Sequence, residues 1–236
     1  MSSPTASSWR EFWNRRNRIY VNDRHLAAHC RRVADDILSL NPAPDAALLD
    51  YGCGEALEAG RIAARVGRLY LYDTASESRA RLAERFGVAA NISVLDEAGL
   101  EHLSGGMFDL IAVNSVLQYV SAEEFSRLLP RWRRWLKPGG ALVLADVLPP
   151  GDTTLADTKA LLRFALGEGF LFAALLGLAA TFFSDYRRLR QSLGLSRYGE
   201  TEMIARLAAA GFDAERRRPN FGINPARMTF IARSVP

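Results

Sequence analysis

From residue 46 onward short apolar runs alternate with segments whose apolar residues recur every three or four positions, the pattern of βαβ units around a mostly parallel sheet. The runs AALLDY, RLYLYD, ISVLD, FDLIAVN and ALVLADV end at Tyr51, Asp73, Asp96, Asn114 and Val147 and predict five strands. Thr74 with Glu77, and Ser121 with Glu124, stand at capping-box spacing, so each pair predicts a helix just after a strand. In the second of these helices Phe125, Leu128, Leu129, Trp132 and Leu136 repeat at the helical period, and Lys137-Pro138-Gly139-Gly140 is the expected stop. Asp152 to Gly199 carries no strand signal, and a helix around Met203, Ile204 and Leu207 then ends at Gly211. Two last strands, Phe212 to Arg217 and Arg227 to Arg233, are joined by the turn-rich Pro219-Asn220-Phe221-Gly222 and are expected to pair antiparallel. Near the N-terminus a helix has its apolar stripe at Leu26, Cys30, Val33 and Ile37. The expected organisation is a helical lid or arm over 1–45 and one domain over 46–236, with a helical cap inserted at 152–199 after the fifth strand.

Composition narrows the class. With 49% hydrophobic and 24% charged residues in 236, the chain has the makings of one globular domain and is neither disordered nor fibrous. A net charge of +4 is too small to point to nucleic acid. Cys30 and Cys53 are the only cysteines, too few for a disulfide framework or a four-cysteine zinc site and suited to a reducing compartment. The first twenty residues lack the apolar core of a secretory signal, and the longest uncharged stretch, GFLFAALLGLAATFFS, is shorter than the ~20 residues that span a bilayer. The expectation is a cytoplasmic protein.

The segment LLDYGCGEA, residues 48–56, carries the chemistry. A buried strand runs into Gly52-Cys53-Gly54 and then a helix, and glycines there turn the backbone sharply and leave room for a ligand near the helix N-terminus. A plain strand-to-helix turn would look the same. Asp73, about twenty residues on at the end of the next strand, adds a carboxylate able to accept hydrogen bonds from ribose hydroxyls. A dinucleotide-binding G-x-G-x-x-G would need glycine at position 57, which is Leu57.

The chain resembles the class I S-adenosylmethionine-dependent methyltransferases, whose first motif is an acidic residue, any residue, then G-x-G-x-G. Asp50, Gly52 and Gly54 match, and Ala56 stands in place of the third glycine. Asp73 falls where the family's ribose-binding acid belongs and Asp96 where an acid ends the third strand beside the adenine. FDLIAVNSVLQYV is similar to the fourth motif and LKPGGALVLAD to the turn and strand after it, so the resemblance covers about residues 46 to 147, with an antiparallel ending similar to the family's. It implies a Rossmann-like α/β fold, with a seven-stranded, mostly parallel sheet, helices on both faces and an antiparallel last strand. The implied cofactor is S-adenosyl-L-methionine, lying across the carboxyl ends of the first four strands. In that frame Asp50 supports the glycine loop or meets the methionine ammonium, Asp73 holds the ribose, and Asp96 with Glu97 lies at the adenine edge. Asn114 and Ser115 face the methionine portion or the acceptor. A strand-end cap or loop carboxylate is the alternative for each acid, and Glu55 would be favourable at a helix start without any ligand.

Methyl transfer from a sulfonium needs no nucleophile on the enzyme, and a general base only if the acceptor must lose a proton. The candidates are His25 and His29, four apart on the N-terminal helix, with His102, Tyr119 and Asp146. The resemblance places a histidine in related enzymes where this chain has Tyr119, leaving Tyr119 to orient an acceptor. The His pair lacks a clear third ligand, so no metal is expected. Specificity is expected from two added segments. Trp9, Phe12 and Trp13, interleaved with Arg10, Arg15, Arg16 and Arg18, read as a lid, a packing arm or an amphipathic membrane-surface helix, with Tyr20 and Asn22 near the opening. The insert, with Leu161, Leu162, Phe164, Phe170, Leu171, Phe172, Leu175 and Leu176 before Phe182, Phe183 and Tyr186, reads as a cap over a small apolar acceptor, as a homodimer contact, or as a membrane contact. Two other functions stay open on sequence: a dinucleotide-dependent oxidoreductase, and a non-catalytic adenosylmethionine-binding or membrane-surface protein.

Overall fold

The computed structural model describes residues 9, 12, 13, 20–151, 153–181 and 194–235. Seven strands form one sheet: β1 (Ala47–Tyr51), β2 (Arg68–Tyr72), β3 (Ile92–Leu95), β4 (Phe108–Asn114), β5 (Leu136–Val147), β6 (Phe212–Arg217) and β7 (Met228–Ser234). Their order is β3-β2-β1-β4-β5-β7-β6, parallel from β3 to β5, with β7 antiparallel to both neighbours. The chain winds outward in one direction from β1 and in the other from β4. The loops leaving these two strands therefore part, and a crevice opens at their carboxyl ends.

The helices are α1 (Asp23–Leu38), α2 (Ala59–Ala63), α3 (Ser76–Phe86), α4 (Glu97–Glu101), α5 (Ala122–Trp135), α6 (Thr154–Glu168), α7 (Leu171–Thr181) and α8 (Glu200–Ala209). Alternation along β5 shows how both sheet faces are covered. Leu142 and Leu144 point to the side where Phe125, Trp132, Met203 and Leu207 pack, and Val143 and Ala145 to the side of Ala34, Ile37, Ile62 and Leu82. Central strands buried on both faces read as continuous apolar runs, which makes the one acid inside β1, Asp50, conspicuous. A separate small cluster of Ala28, Ala165, Phe170 and Ala174 ties α6 and α7 to α1. Among the described residues no helix is long and apolar enough to cross a membrane.

Three local expectations change. Ser121 caps α5, accepting the Glu124 N–H, but α3 starts one residue later than the Thr74–Glu77 spacing implies, with Ala75 at its N-cap and no side-chain cap, and the Asp73 carboxylate accepts the Ala75 N–H at 2.8 Å. Helix α5 stops at Trp135 rather than at the glycines, and Lys137 to Gly140 run inside β5, with the β4–β5 register shifting between Phe108 and Leu110. Helix α1 buries His25, Ala28, Ala34, Asp36 and Ile37, while Leu26, Cys30 and Val33 are half-buried. Arg10, Arg15, Arg16, Arg18, Phe182, Phe183 and Tyr186 lie outside the described residues.

Candidate active site

The site begins where β1 leaves the sheet. Gly52 donates to the Tyr72 carbonyl at 2.7 Å with φ +83°, and a Cβ there would lie 2.3 Å from Val116 Cγ2, so conformation and space both demand glycine. Gly54, at φ +58°, donates its N–H to Asp73 Oδ2 at 2.9 Å, and the side a Cβ would occupy is open. Ala56 takes φ +40°, a left-handed conformation costing about 1–2 kcal/mol for a residue with a Cβ.

Asp73 thus clamps two backbone segments, taking the Gly54 and Ala75 N–H groups on its two oxygens. Arg79 donates to its main-chain carbonyl at 2.6 Å and reaches Glu97 at 2.7 Å. Burial raises the pKa of Asp73, against the pull of these backbone bonds and of Arg79. Asp50 is more extreme. Burial, then the nearby Asp73 charge, pushes it up to about 7, and among the described residues its carboxylate has no hydrogen-bond partner.

A cavity of about 1000 Å³ lies over this loop. Asp50, Gly52, Gly54, Asp73, Asn114, His25, His29 and Tyr119 all face it. Asp96 does not: it caps α4, accepting the Gly99 N–H at 2.7 Å. Glu55 faces the cavity but is bound by Arg81, at 2.6 Å, and by Arg85. Asp146 stands behind the wall, where Ser115 Oγ and Arg227 Nη1 each donate to it at 2.7 Å. Ser115 and Asp146 are both left-handed, at φ +57° and +60°, so the crevice floor is built from two strained turns locked to each other.

Over the cavity Trp9 and Trp13 pack on Tyr119, with ring centroids 4.6 and 5.2 Å apart. Tyr20 lies 5.3 Å from His25 and 5.4 Å from His29, ring to ring. His25 stacks on Phe170 at 4.9 Å, and its Nδ1 accepts the Val21 N–H at 3.4 Å. Burial lowers its pKa. His29 is pushed down to about 4 by burial and then by His25, so it is neutral at pH 7, and its ring nitrogens have no hydrogen-bond partner among the described residues. Leu161, Ala173, Leu176 and Leu178 close the far side; Phe170 instead supports His25 from the small α1–α7 cluster, and Phe172 points to solvent.

The sequence reading missed Arg227. Its guanidinium joins Asp146 below the cavity to Asp157 of α6, at 2.7 and 3.1 Å, and reaches Gln118 Oε1 at 3.2 Å. The three come from β5, α6 and the residue just before β7, and no spacing along the chain links them. Among the described residues no group of three His, Cys, Asp or Glu could hold a metal ion.

Residues 49–144 match a family model described as a methyltransferase domain. No curated protein matches the chain in sequence. Among solved structures, the DhpI complex with SAH is 15% identical at a TM-score of 0.62, the match covering 100% of both chains. YcgJ from Bacillus subtilis is 15% identical at a TM-score of 0.59, covering 88% of this chain and 100% of its own. Magnesium protoporphyrin IX methyltransferase (ChlM) from Synechocystis PCC 6803 is 15% identical at 0.55, covering 97% and 90%. At such identities the structures establish the shared fold, and the family match, spanning the glycine loop, Asp73 and the fourth strand, favours methyl transfer over the oxidoreductase reading. Over residues 49–144 the chain is thus similar to a methyltransferase domain, carried on the same fold as these solved structures.

Proposed function

We propose that the protein methylates a small apolar acceptor carrying an ionisable group, such as a hydroxyl, held between the aromatic roof and the leucines of α6 and α7. The observation that carries this reading is the cavity's far wall, Leu161, Ala173, Leu176 and Leu178, facing the glycine loop across about 1000 Å³.

The residues fit the cofactor. Asp50 is a buried carboxylate with no partner at the end of β1, suited to an ammonium, and the open side of Gly54 beside Asp73 leaves room for a ribose. When bound, S-adenosylmethionine supplies an electrophilic methyl group on sulfur. The chain's part is to hold the acceptor in line, exclude water beneath Trp9, Phe12 and Trp13, and take a proton where one must leave. Of the candidate bases, Asp146 is engaged by Arg227 and Ser115, and His25 Nδ1 already accepts a main-chain N–H. Tyr119 packs within the roof, its ring against Trp9 and Trp13. His29, neutral and open to the cavity, is the group we assign to receive the proton. Asp96 is left as a helix cap, and the adenine edge falls instead to Thr74, which lines the cavity next to Asp73. Two free cysteines support a reducing, cytoplasmic setting.

The test is a methyl-transfer screen over apolar phenols, quinols and fatty hydroxy acids. With an acceptor in hand, Leu176→Ser is expected to raise its KM about tenfold while S-adenosylhomocysteine affinity stays within about twofold. Turnover confined to charged or strongly polar acceptors would reject the apolar reading.

A further inference from the structure

The helices that line the cavity on one side present an unusual face on the other. On α6, Leu155, Lys159, Arg163 and Leu166 fall within about 80° of helix circumference at 3.6 residues per turn, and all four are exposed, Leu155 at 77% and Leu166 at 68%. On α7, Phe172 is 75% and Leu175 50% exposed. Both faces point away from the Ala165, Phe170 and Ala174 cluster that the two helices share with α1. Five large apolar side chains, counting Leu176, so stand in solvent on one helical pair, five of the eight large apolar residues exposed among the described ones.

Charge on this pair is one-sided. Its two acids are engaged, Asp157 by Arg227 and Glu168 by Arg31, whereas Lys159 and Arg163 have no ion-pair partner among the described residues. An outward surface of leucine and phenylalanine with free cations and no free acid matches the interface of an anionic bilayer, where apolar side chains enter the acyl boundary and basic ones meet the headgroups. We propose that the α6–α7 pair is a peripheral docking surface for anionic lipid bilayers. The proposal does not depend on the acceptor's identity. It does set Leu176, which borders the cavity, on the membrane side of the protein.

The experiment is flotation of the full chain with vesicles of phosphatidylcholine, with and without about 30% phosphatidylglycerol. The expected result is binding to the anionic vesicles that weakens in about 0.5 M salt. Phe172→Ser with Leu175→Ser, and separately Lys159→Glu with Arg163→Glu, should each lower it about tenfold, while S-adenosylhomocysteine affinity, which reports the folded core, stays unchanged. Absence of binding to either vesicle overturns the proposal, as does binding that survives both pairs of substitutions, which would assign it to another part of the chain. Sedimentation showing a dimer of the unsubstituted chain that the serine pair dissociates would assign the face to a second copy and overturn it equally. Should the serine pair fail to fold, the glutamate pair decides alone.

Discussion

On the proposed reading Asp50 serves a ligand at the expense of the fold, and Asp50→Asn separates the two. In the ligand-free protein the carboxyl ionises near 7, against 3.8 when unfolded, so the folded state holds an extra proton between those values. Its stability therefore falls as pH rises from about 4 to about 7, and above 7 the whole cost of the buried charge is present. A rise of about three at about 1.4 kcal/mol each puts that cost at about 4 kcal/mol. An amide in the same place forfeits about 1–3 kcal/mol of it, being a buried polar group without a partner. At pH 8 Asp50→Asn should thus stabilise the ligand-free protein by about 2 kcal/mol, about 6 °C in Tm for a chain of this size, and the gain should disappear by pH 4. If Asp50 meets the cofactor's ammonium, as proposed, the same change removes that anion, and affinity for S-adenosylmethionine at pH 8 should drop at least tenfold, about 1.5–3 kcal/mol. Thermal unfolding by circular dichroism at the two pH values, with calorimetric titration at pH 8, reads both effects. A loss of stability equal at both pH values would refute the reasoning, since it would mean that Asp50 carries no buried charge.

Asp73→Ala should weaken S-adenosylhomocysteine binding by about 1.5–3 kcal/mol in a calorimetric titration, and it should also loosen Gly54 and Ala75, whose N–H groups lose their acceptor, as faster amide exchange there would report. Ala56→Gly relieves a left-handed alanine and should raise stability by about 1 kcal/mol in urea unfolding; a loss would show that the φ of +40° is not strained. Arg227→Met strands Asp146 and Asp157, and breaking so buried a pair should cost about 3 kcal/mol, most of it returned when both acids become asparagine. If His29 receives the proton, His29→Gln should lower kcat for a hydroxyl acceptor about 10²-fold or more, with S-adenosylhomocysteine affinity unchanged and the pH dependence of kcat flattened.

Most of the sheet was legible because central strands are continuous apolar runs that only a buried sheet explains, as in LLD and LIAV of β1 and β4. The glycine loop was legible for the same local reason: Gly52 and Gly54 answer to their own backbone. What the sequence hid is set by distance. Thr74 has the spacing of a cap, yet the Asp73 carboxylate fixes the Ala75 N–H from the strand end and the helix starts one residue later, with Ala75 at its N-cap. The Arg227 junction needs β5, α6 and β7 in place before its three charges meet. Phe170 and Phe172, two residues apart on an apolar run, end on opposite sides of the cap, one under His25 and one in solvent, because only helical phase decides which is covered.

Calorimetric titration of the purified protein with S-adenosylhomocysteine, with NADH in a parallel cell, tests the central claim most directly. The account predicts saturable binding of S-adenosylhomocysteine at one site per chain, weakened by Asp73→Ala, and no heat from NADH. Binding of NADH, or no binding of S-adenosylhomocysteine by folded protein, would contradict it.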